Sequence, residues 1–382
     1  MNQAMRIGII GGGQLGMMLL EAAKETTNSV QYVVLESQED CPARPFADAF
    51  VLGSLQDPQA LRRLAAQCDI LTWEIEHIHV DTLIELESEG KTVIPKPRVL
   101  KMIQDKGEQK AYFDLHGIPT APFHLKSEAD SWDLDFFSGE RVVVKSRRGG
   151  YDGKGVAIVT KAQLVAHGSP FSGPILIEQF AENVKELAFI VAVDVHGHLE
   201  TYPAIDMYFN PESNLVEFLY SPSMVSEEIL LEAEKIAKKV VATFESPGLF
   251  AVEMFLTESG EIWVNEIAPR PHNSGHHSIE GFQTSQFAQL NRILLGLELG
   301  PMGLKVPSAM INLVGPSDFS GTYQLEEAQF WESQTDVFVH LYGKTETRPD
   351  RKLGHVTVTA NNLDSLMLRA REVQARMRII PS

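Results

Sequence analysis

The sequence predicts a protein of the α/β and α+β classes, in which a doubly wound parallel sheet opens the chain and a small strand-rich domain ends it. From Met5 to about Ile94, β-branched runs such as RIGII and QYVVLE alternate with segments of helical periodicity, as in parallel sheets with helical crossovers. Prolines then punctuate residues 95–122, which indicates a connection between domains. Strand-like runs such as AMINLVG and HVTVTA follow from about Pro301. We therefore expect three domains, at residues 1–100, 101–300 and 301–382.

The composition argues against several classes of function. The 382 residues include 51 acidic and 33 basic side chains, and the resulting charge of −18 disfavours binding to nucleic acid or to anionic membranes. Cys41 and Cys68 are the only cysteines, so neither a disulfide scaffold nor a structural zinc site is indicated. No run approaches the roughly 18 apolar residues that a membrane helix needs. We therefore expect a cytoplasmic protein that acts on small molecules.

The first predicted strand ends in a glycine-rich turn. Gly11, Gly13 and Gly16 in IIGGGQLG match the pattern GxGxxG between a strand and a helix. Glu36 ends the next predicted strand, where dinucleotide-binding folds carry a ribose-binding acid. The glycines themselves predict only that a phosphate or another polar group approaches backbone amides at a helix N-terminus. A nicotinamide or flavin site, another phosphate site and a simple tight turn all remain open from this motif.

A predicted β-hairpin carries a pair of glutamates. The runs LFAVEMFLT and EIWVNEIAP flank Ser259-Gly260, a dipeptide that suits a two-residue turn. Counting outwards pairs Glu258 with Glu261, and Glu253 with Glu266, whose side chains would lie about 5 Å apart on one face. Two carboxylates so placed persist most readily around a cation, and their hard oxygens suit magnesium, which also takes phosphate oxygens from a substrate. The alternative is a solvated strand face with two ordinary glutamates.

A lysine at a strand end precedes a glycine-rich loop. Lys145 closes the run RVVVKS, and RRGGYDGKG follows it. Glycines let an amide-lined loop approach phosphates, and the lysine supplies a point charge for them. Two later acids, Glu178 and Glu186, are candidates to accept hydrogen bonds from an adenine amino group and from ribose hydroxyls. A long polar hairpin is the alternative interpretation of the loop.

Together these features resemble the ATP-grasp enzymes, because Lys106, Lys145, the glycine loop and the four acids occur in that family's order. The resemblance implies two α+β subdomains that hold ATP between them, with a lid at about residues 120–185. It also implies that Glu253 and Glu266 bind Mg²⁺, or alternatively Mn²⁺. The ATP-binding residues that it implies are Lys106, Lys145, Gly150, Tyr151, Asp152, Gly153, Lys154, Gly155, Val156, Glu178, Gln179, Phe180, Ala181, Glu186, Asn265 and Glu266.

Four longer segments narrow the resemblance. They are GGGQLG at 11–16, TWEIEHI at 72–78, NEIAPRPHNSGH at 265–276 and YGKTETRPDRKLGH at 342–355, and they are similar to the N5-carboxyaminoimidazole ribonucleotide synthases of purine biosynthesis. This resemblance covers nearly the whole chain. It implies an ADP-forming ligase in which ATP and bicarbonate form carboxyphosphate, whose carbon passes to the exocyclic amine of 5-aminoimidazole ribonucleotide. It also implies a homodimer.

The same resemblance assigns roles around the expected reaction centre. Lys344, Arg351 and Lys352 concentrate positive charge in an acidic chain and suit the 5′-phosphate of a ribonucleotide, with a solvated turn as the alternative. Arg270 would hold the anion and stabilise phosphoryl charge, and His272 would orient bicarbonate or move a proton. The remaining expected site residues are Gly13, Gln14, Leu15, Glu74 and Glu76 for the substrate, and Asn273 beside the reacting groups.

Three positions depart from the family's pattern. Met17 stands where an arginine is common, and Asp350 replaces a glycine beside the expected phosphate site. The segment IDMYF, which ends at Phe209, lacks a histidine expected nearby on the adenosine side.

Three other functions remain open from the sequence. A formate-dependent glycinamide ribonucleotide transformylase would share most of these sites. A nicotinamide-dependent oxidoreductase would use the glycine turn and Glu36, but it leaves the glutamate pair and the glycine loop unexplained. A non-catalytic nucleotide sensor would keep the fold, and the intact carboxylates and Lys145 disfavour it.

Overall fold

A computed structural model describes residues 4–26, 29–126, 133–150, 155–209 and 216–382, and the strands in these ranges form four sheets. The predicted mixture of a parallel α/β region with antiparallel α+β regions is confirmed. Within the same ranges, no helix has both the length and the apolar character that crossing a membrane requires.

The amino-terminal region is a parallel sheet with helices on its faces, built from β1 (Met5–Ile10), α1 (Gln14–Thr26), β2 (Val30–Glu36), β3 (Ala49–Leu52), α2 (Pro58–Ala65), β4 (Ile70–Trp73), α3 (Val80–Ser88) and β5 (Thr92–Val93). The strand order is β3-β2-β1-β4-β5. Alternate strand residues enter different cores: Ile9 packs with α1, and Ile10 packs with α2 and α3. Such sheets bind ligands where the order reverses, at the carboxyl ends of β1 and β4. The glycine turn and Glu74 lie at these two ends.

A four-stranded antiparallel sheet follows, in the order β6-β9-β7-β8. Its elements, with the two helices before it, are α4 (Pro97–Ile103), α5 (Lys106–Leu115), β6 (Phe123–Lys126), β7 (Arg141–Ser146), β8 (Val156–Thr160), α6 (Lys161–His167) and β9 (Ile175–Gln179). Asp105 caps α5 by accepting from the amide of Gly107 at 2.9 Å. The same carboxylate accepts from Arg147 Nε at 2.8 Å, so the start of α5 is bound to the segment that leaves β7.

The remaining elements are β10 (Lys185–Val193), β11 (Leu199–Thr201), β12 (Ile205–Phe209), β13 (Val216–Ser221), α7 (Glu227–Thr243), β14 (Gly248–Leu256), β15 (Ile262–Ala268), α8 (Ser278–Gly281), α9 (Gln286–Leu294), β16 (Ser308–Val314), β17 (Gly321–Leu325), α10 (Ala328–Glu332), β18 (Val337–Leu341), β19 (Glu346–Thr347), β20 (Lys352–Thr359), α11 (Leu363–Arg376) and β21 (Ile379–Pro381). A nine-stranded sheet runs β15-β14-β10-β12-β13-β16-β20-β18, with β11 beside β10. A small sheet has the order β19-β17-β21.

The carboxy-terminal strands continue the sheet of the middle region. β13 pairs antiparallel with β16, so that Tyr220 lies opposite Ala309. β16 then pairs with β20, and β20 with β18. The predicted boundary at residue 300 therefore does not separate two sheets, and the strands on both sides of it share one hydrogen-bonded surface.

The hairpin between β14 and β15 differs from the expected one at its turn. Thr257 N donates to Glu261 O at 2.9 Å, and Gly260 is left-handed with a φ of +85°. The turn therefore contains residues 258–260, the three-residue type that places glycine at its last position. The predicted two-residue turn and the pairing of Glu258 with Glu261 are wrong.

A bulge further along the same hairpin restores the expected register. Met254 lies opposite Val264, whereas Glu253 lies opposite Glu266, so Asn265 is the extra residue. The predicted pairing of the two glutamates is thus confirmed, although one additional turn residue and one bulged residue are needed to reach it.

The amino-terminal region is fixed to the large sheet by a buried contact between α1 and α9. Tyr32 Oη donates to Asn291 Oδ1 at 2.9 Å, and Asn291 Nδ2 donates to Leu19 O at 2.9 Å. Met17 is buried in the hydrophobic core that also contains Leu290. The position that departs from the family's arginine is therefore an apolar core position here.

Asp350 occupies a tight loop before β20. Its φ of +60° is left-handed, a conformation that favours glycine and that aspartate tolerates better than most residues. Its amide donates to Gly315 O at 3.1 Å, and Gly315 N donates to Arg351 O at 2.9 Å. The loop thus keeps the left-handed turn for which the family's glycine is suited.

We expect Asp350→Gly to raise, and Asp350→Val to lower, the free energy of unfolding by about 1 kcal/mol each, because the left-handed backbone is unstrained only for glycine and is worst for a β-branched side chain. Thermal unfolding of both variants beside the wild type measures this. Equal stability of the glycine and valine variants would contradict the strained-loop assignment.

Candidate active site

The amides of the glycine turn are bound by carboxylates of the same chain. Gly12 N donates to Glu36 Oε2 at 3.0 Å, and Gly13 N donates to Glu74 Oε1 at 2.8 Å. A Cβ on Gly11 would lie 2.7 Å from Glu74 Oε1, so glycine is needed for this close approach. The turn therefore surrounds a carboxylate rather than forming an open cradle for a pyrophosphate. This contradicts the oxidoreductase alternative, in which Glu36 would bind a ribose and the amides a dinucleotide.

Glu74 and Glu76 face different partners instead of sharing one strand face, because β4 ends before them at Trp73. Glu74 is buried, and burial raises its pKa while the hydrogen bond from Gly13 opposes that rise. Glu76 pairs with Arg270 Nη2 at 2.7 Å. Both acids were expected to accept hydrogen bonds from a substrate. In the structure, each of them also binds a group of the protein: Glu74 binds the amide of Gly13, and Glu76 binds Arg270.

Gln14 and Leu15 begin α1 directly after this turn. Leu15 is buried in the core beneath α1, whereas Gln14 is half-buried at the carboxyl end of the sheet. Of the expected substrate residues in this turn, Gln14 is therefore the one whose side chain is not part of the hydrophobic core and whose position is at the sheet's ligand-binding edge.

A buried carboxylate joins two lysines at the base of the second sheet. Glu178 Oε2 lies 2.5 Å from Lys145 Nζ, and its Oε1 lies 2.6 Å from Lys110 Nζ. Burial raises the pKa of Glu178, but the two ammonium groups outweigh burial and lower it to about 2. Its side chain is 4% exposed. Both of its oxygens contact lysines, so an adenine amino group would share this carboxylate with two ammonium groups, and the expected contact stays a prediction.

Lys145 also donates to Asn265 Oδ1 at 3.0 Å. This contact joins the second sheet to the bulge of the β14–β15 hairpin, so two expected ATP residues meet in the cleft between the second sheet and the large sheet. Lys106 is the first residue of α5, and its Nζ donates to Gly149 O at 3.5 Å. Both predicted phosphate lysines are thus close to the cleft or to the glycine loop.

The ends of the glycine loop are described, and its centre is not. Gly149, Gly150 and Gly155 are left-handed, with φ of +71°, +78° and +80°, and Ser146 N donates to Gly155 O at 2.8 Å. Val156 begins β8. The expected ATP residues Tyr151, Asp152, Gly153 and Lys154 lie outside the described residues.

The segment after Glu178 follows the end of β9. Gln179 Nε2 donates to Phe180 O at 2.7 Å, and its Oε1 accepts from Ser138 N at 2.7 Å. Arg141 lies over the Phe180 ring, 4.3 Å from its centroid. The side chains of Gln179 and Phe180 therefore brace the second sheet, and Ala181 follows them in the connection to β10.

Three glutamates lie close together on neighbouring strands of the large sheet. Glu253 on β14 pairs with Glu266 on β15, and Glu186 lies on adjacent β10. Burial, Glu266 and Glu186 raise the pKa of Glu253 to about 8. Burial and Glu266 raise the pKa of Glu186 to about 8, and Lys145 opposes that rise. The repulsion among these carboxylates is one that a divalent cation would relieve.

This donor set fits magnesium bound jointly with a nucleotide. Glu253 and Glu266 offer hard oxygens, and Mg²⁺ usually takes one or two carboxylates and completes its shell with water and phosphate oxygens. Among the described residues, no group of three or more acidic, histidine or cysteine side chains has the arrangement of a self-sufficient metal site. The protein therefore offers part of a coordination shell, and a nucleotide would supply more of it.

The expected catalytic residues follow β15. Arg270 is half-buried and keeps a raised pKa because Glu76 and other acids outweigh its burial. His272 Nδ1 lies 3.5 Å from Glu253 Oε1, and burial, Arg270 and Lys352 keep the pKa of His272 well below its ordinary value. His272 is thus neutral near pH 7. Asn273 Nδ2 is buried without a hydrogen-bond partner among the described residues, which marks an unfilled donor in the site.

The basic side chains of the loop near the carboxy terminus have different partners. Arg351 Nη1 donates to Glu346 O at 2.7 Å, which holds its guanidinium against its own loop. Lys344 Nζ donates to Lys352 O at 2.5 Å. Lys352 is close enough to Glu253 to oppose the rise in that residue's pKa. The loop therefore places the ammonium group of Lys344 beside the backbone of Lys352, and Lys352 acts on the carboxylate of Glu253.

Two site residues were missed by the sequence analysis. Lys110 lies one helical turn after Lys106, but nothing in the run KGEQKAYF indicates that it is buried. Gln286 is fully buried; its Oε1 accepts from His272 N at 2.9 Å, and its Nε2 donates to His272 O at 2.8 Å. The run QFAQLNRIL, which begins at Gln286, gives no signal that its first glutamine is buried.

This fold, with Lys145 on one sheet and the paired Glu253 and Glu266 on another, is that of an ATP-grasp ligase. Residues 111–287 match the model of the ATP-grasp domain, residues 4–104 that of the ribonucleotide synthetase preATP-grasp domain, and residues 308–369 that of the phosphoribosylaminoimidazole carboxylase C-terminal domain. The chain belongs to the N5-carboxyaminoimidazole ribonucleotide synthase family of these ligases. The predicted family is thus confirmed.

Individual relatives agree in sequence and in structure. The N5-carboxyaminoimidazole ribonucleotide synthase of Synechococcus elongatus is 34% identical, with 97% of this chain and 93% of that protein covered. The synthetase of Thermotoga maritima superposes with a TM-score of 0.89 at 36% identity, over 99% of this chain and 100% of that one. The Aspergillus clavatus enzyme, solved with ADP and 5-aminoimidazole ribonucleotide, gives a TM-score of 0.86 at 30% identity, over 98% and 100%.

Some relatives are longer than this chain. The chloroplastic phosphoribosylaminoimidazole carboxylase of Vigna aconitifolia is 37% identical over 94% of this chain, which spans 65% of that protein's length.

The raised pKa values predict a pH dependence. Glu253 holds a proton in the folded protein up to about pH 8 but ionises near pH 4.5 when unfolded, so its contribution to stability is complete below pH 4.5 and is lost as the pH rises through 8. Between pH 5 and 8, the wild type without nucleotide or metal should lose stability relative to Glu253→Gln by on the order of a few kcal/mol. Chemical unfolding of both proteins across this range measures the difference, with Glu261→Gln, an exposed acid of the same hairpin, as the control. A difference that does not change with pH would contradict the raised pKa.

Proposed function

We propose that the protein catalyses the ATP- and bicarbonate-dependent carboxylation of 5-aminoimidazole ribonucleotide to its N5-carboxy derivative in purine biosynthesis. A bicarbonate oxygen attacks the γ-phosphorus of ATP, and ADP leaves. The resulting carboxyphosphate releases phosphate while the exocyclic amine captures its carbon and loses a proton. The observation that carries this proposal is the position of Lys352, on a carboxy-terminal strand, close enough to Glu253 on β14 to act on its charge, because an acceptor that carries its own phosphate needs a cation near the reaction centre.

Residues of the two sheets would divide the work on ATP. Lys106, Lys145 and the glycine loop bind its phosphates, and the backbone of residues 179–181 together with Glu186 lies beside its nucleoside. Glu253 and Glu266 would hold Mg²⁺, or Mn²⁺ in its place, and the bound ion would stabilise the charge on the phosphoryl group during its transfer. The raised pKa of Glu186 supports this role, because a protonated carboxyl can donate as well as accept a hydrogen bond to ribose.

Residues after β15 would act on the bicarbonate. Arg270 supplies a positive charge, and Asn273 Nδ2, which has no hydrogen-bond partner in the described part of the chain, supplies a donor for an anionic oxygen. His272 is neutral because of its surroundings, so it orients an anion through a hydrogen bond rather than by charge. Lys344 and Lys352 bind the 5′-phosphate of the acceptor, with Gln14 at the facing edge of the amino-terminal sheet.

The setting of the enzyme follows from the same proposal. The three domains at 1–100, 101–300 and 301–382 supply an acceptor edge, an ATP cleft and a phosphate loop, respectively. We also propose that the protein is a cytoplasmic homodimer whose ligands are small molecules. The formate-dependent transformylase is the second candidate, and the match of residues 308–369 to a carboxylase C-terminal domain disfavours it.

ADP release tests the reaction. With Mg²⁺-ATP and bicarbonate, 5-aminoimidazole ribonucleotide should stimulate ADP release by at least about tenfold, because its amine consumes the carboxyphosphate that the first step forms. A parallel mixture with formate and glycinamide ribonucleotide serves as the comparison. Stimulation confined to the formate mixture would transfer the protein to the transformylases, and silence in both mixtures would contradict the proposed ligase reaction.

Glu266→Gln tests the metal pair. The substitution removes one charge from an exposed position, so the fold should remain while ATP turnover falls by about 100-fold or more, since several kcal/mol of charge stabilisation are lost. Steady-state ADP release and thermal unfolding are measured together, with Glu261→Gln as the matched control. Full activity in the variant would contradict the metal assignment.

A further inference from the structure

Lys110 is a buried lysine at the base of the ATP cleft. Its side chain is 3% exposed, and its Nζ lies 3.3 Å from Val264 O on β15, 2.6 Å from Glu178 Oε1, and within hydrogen-bond distance of Thr120 Oγ1. Because α5 and β15 enclose it, Lys110 does not reach the open cleft itself. Its contact with Glu178 links it to Lys145, which is expected to face the phosphates.

Glu178 is divided between this lysine and Lys145. Oε1 contacts Lys110, and Oε2 contacts Lys145 at 2.5 Å. Among the described residues, Lys145 has one further hydrogen-bond partner, Asn265 Oδ1 at 3.0 Å, which carries no charge. Lys145 is therefore held in place by one oxygen of the Glu178 carboxylate and by the neutral side-chain amide of Asn265.

The charges of this cluster do not cancel. Two ammonium groups share one carboxylate, which leaves one positive charge in a region where uncompensated charge is unfavourable. Glu266 and Glu186 also act on Lys145 from strands of the large sheet, but the carboxylate in contact with both lysines is Glu178. A phosphate oxygen of ATP at Lys145 would complete the balance. Without Lys110, Glu178 alone would neutralise Lys145 and would compete with that phosphate.

We propose that Lys110 is a positioning residue of the ATP site: it binds one oxygen of Glu178, so that Glu178 orients Lys145 without neutralising it. This inference rests on the proposed role of Lys145 in binding ATP phosphate. Lys110 does not touch the nucleotide in this proposal. Its effect is to keep the positive charge of Lys145 available to the phosphates of ATP.

The test compares single and double variants by ATP and ADP binding, measured by calorimetry without the acceptor. Lys110→Met should weaken ATP binding by about 10- to 100-fold, in the range of lost supporting contacts at other charged sites. Lys110→Met with Glu178→Gln removes one positive and one negative charge, and it should recover at least about tenfold of that loss. Lys101→Met, on exposed α4, is the matched control and should bind ATP as the wild type does.

The outcomes separate the two levels of the proposal. If Lys145→Met binds ATP as tightly as the wild type, Lys145 does not bind the phosphates of ATP, and the proposed role of Lys110 is overturned as well. The proposed carboxylation is tested separately, by ADP release in the wild type. If Lys110→Met binds ATP normally, or if the double variant binds no better than Lys110→Met, the inference is overturned. If Lys110→Met does not fold, the double variant, which buries no unpaired carboxylate, must bind ATP within about tenfold of the wild type. Binding no tighter than in Lys145→Met overturns the inference.

Discussion

Like-charge repulsion among Glu186, Glu253 and Glu266 is the constraint around which the cleft is built. Strand pairing holds these carboxylates side by side, and hydrogen bonding along β10, β14 and β15 prevents them from separating. Three cations reach the same place from distant parts of the chain: Lys145 from the second sheet, Arg270 from the end of β15, and Lys352 from β20. The site is therefore a balance of charges that local structure alone does not supply.

Tertiary contacts hold those charges in place. The Arg270–Glu76 ion pair and the Tyr32–Asn291 hydrogen bond join the amino-terminal region to the large sheet. Because these contacts are buried or half-buried, they are screened less by solvent than surface pairs are. These contacts therefore fix the orientation of the carboxyl ends of β1 and β4 relative to the large sheet that carries Glu186, Glu253 and Glu266.

The sequence predicted the elements and the order of the site because periodicity and turn residues are local signals. It paired Glu253 with Glu266 correctly although the turn is one residue longer than expected, since the bulge at Asn265 compensates. It could not tell what the glycine turn binds, because GxGxxG is the same whether the partner is a pyrophosphate or Glu74, which lies 61 residues away. Nor could it find Lys110, because the burial of a lysine depends on the elements packed around it and not on its neighbours in the chain.

The unbroken sheet from β14 to β20 has a geometric consequence. Five strand intervals separate these two strands, which would place them about 24 Å apart in a flat sheet. Lys352 at the start of β20 nevertheless lies near enough to Glu253 on β14 to act on its charge, which indicates that the sheet curves toward this side. The curvature of one hydrogen-bonded surface thus sets the length of the molecule that can touch both flanks at once, and a ligand much shorter or longer than that gap would lose one of its two anchors.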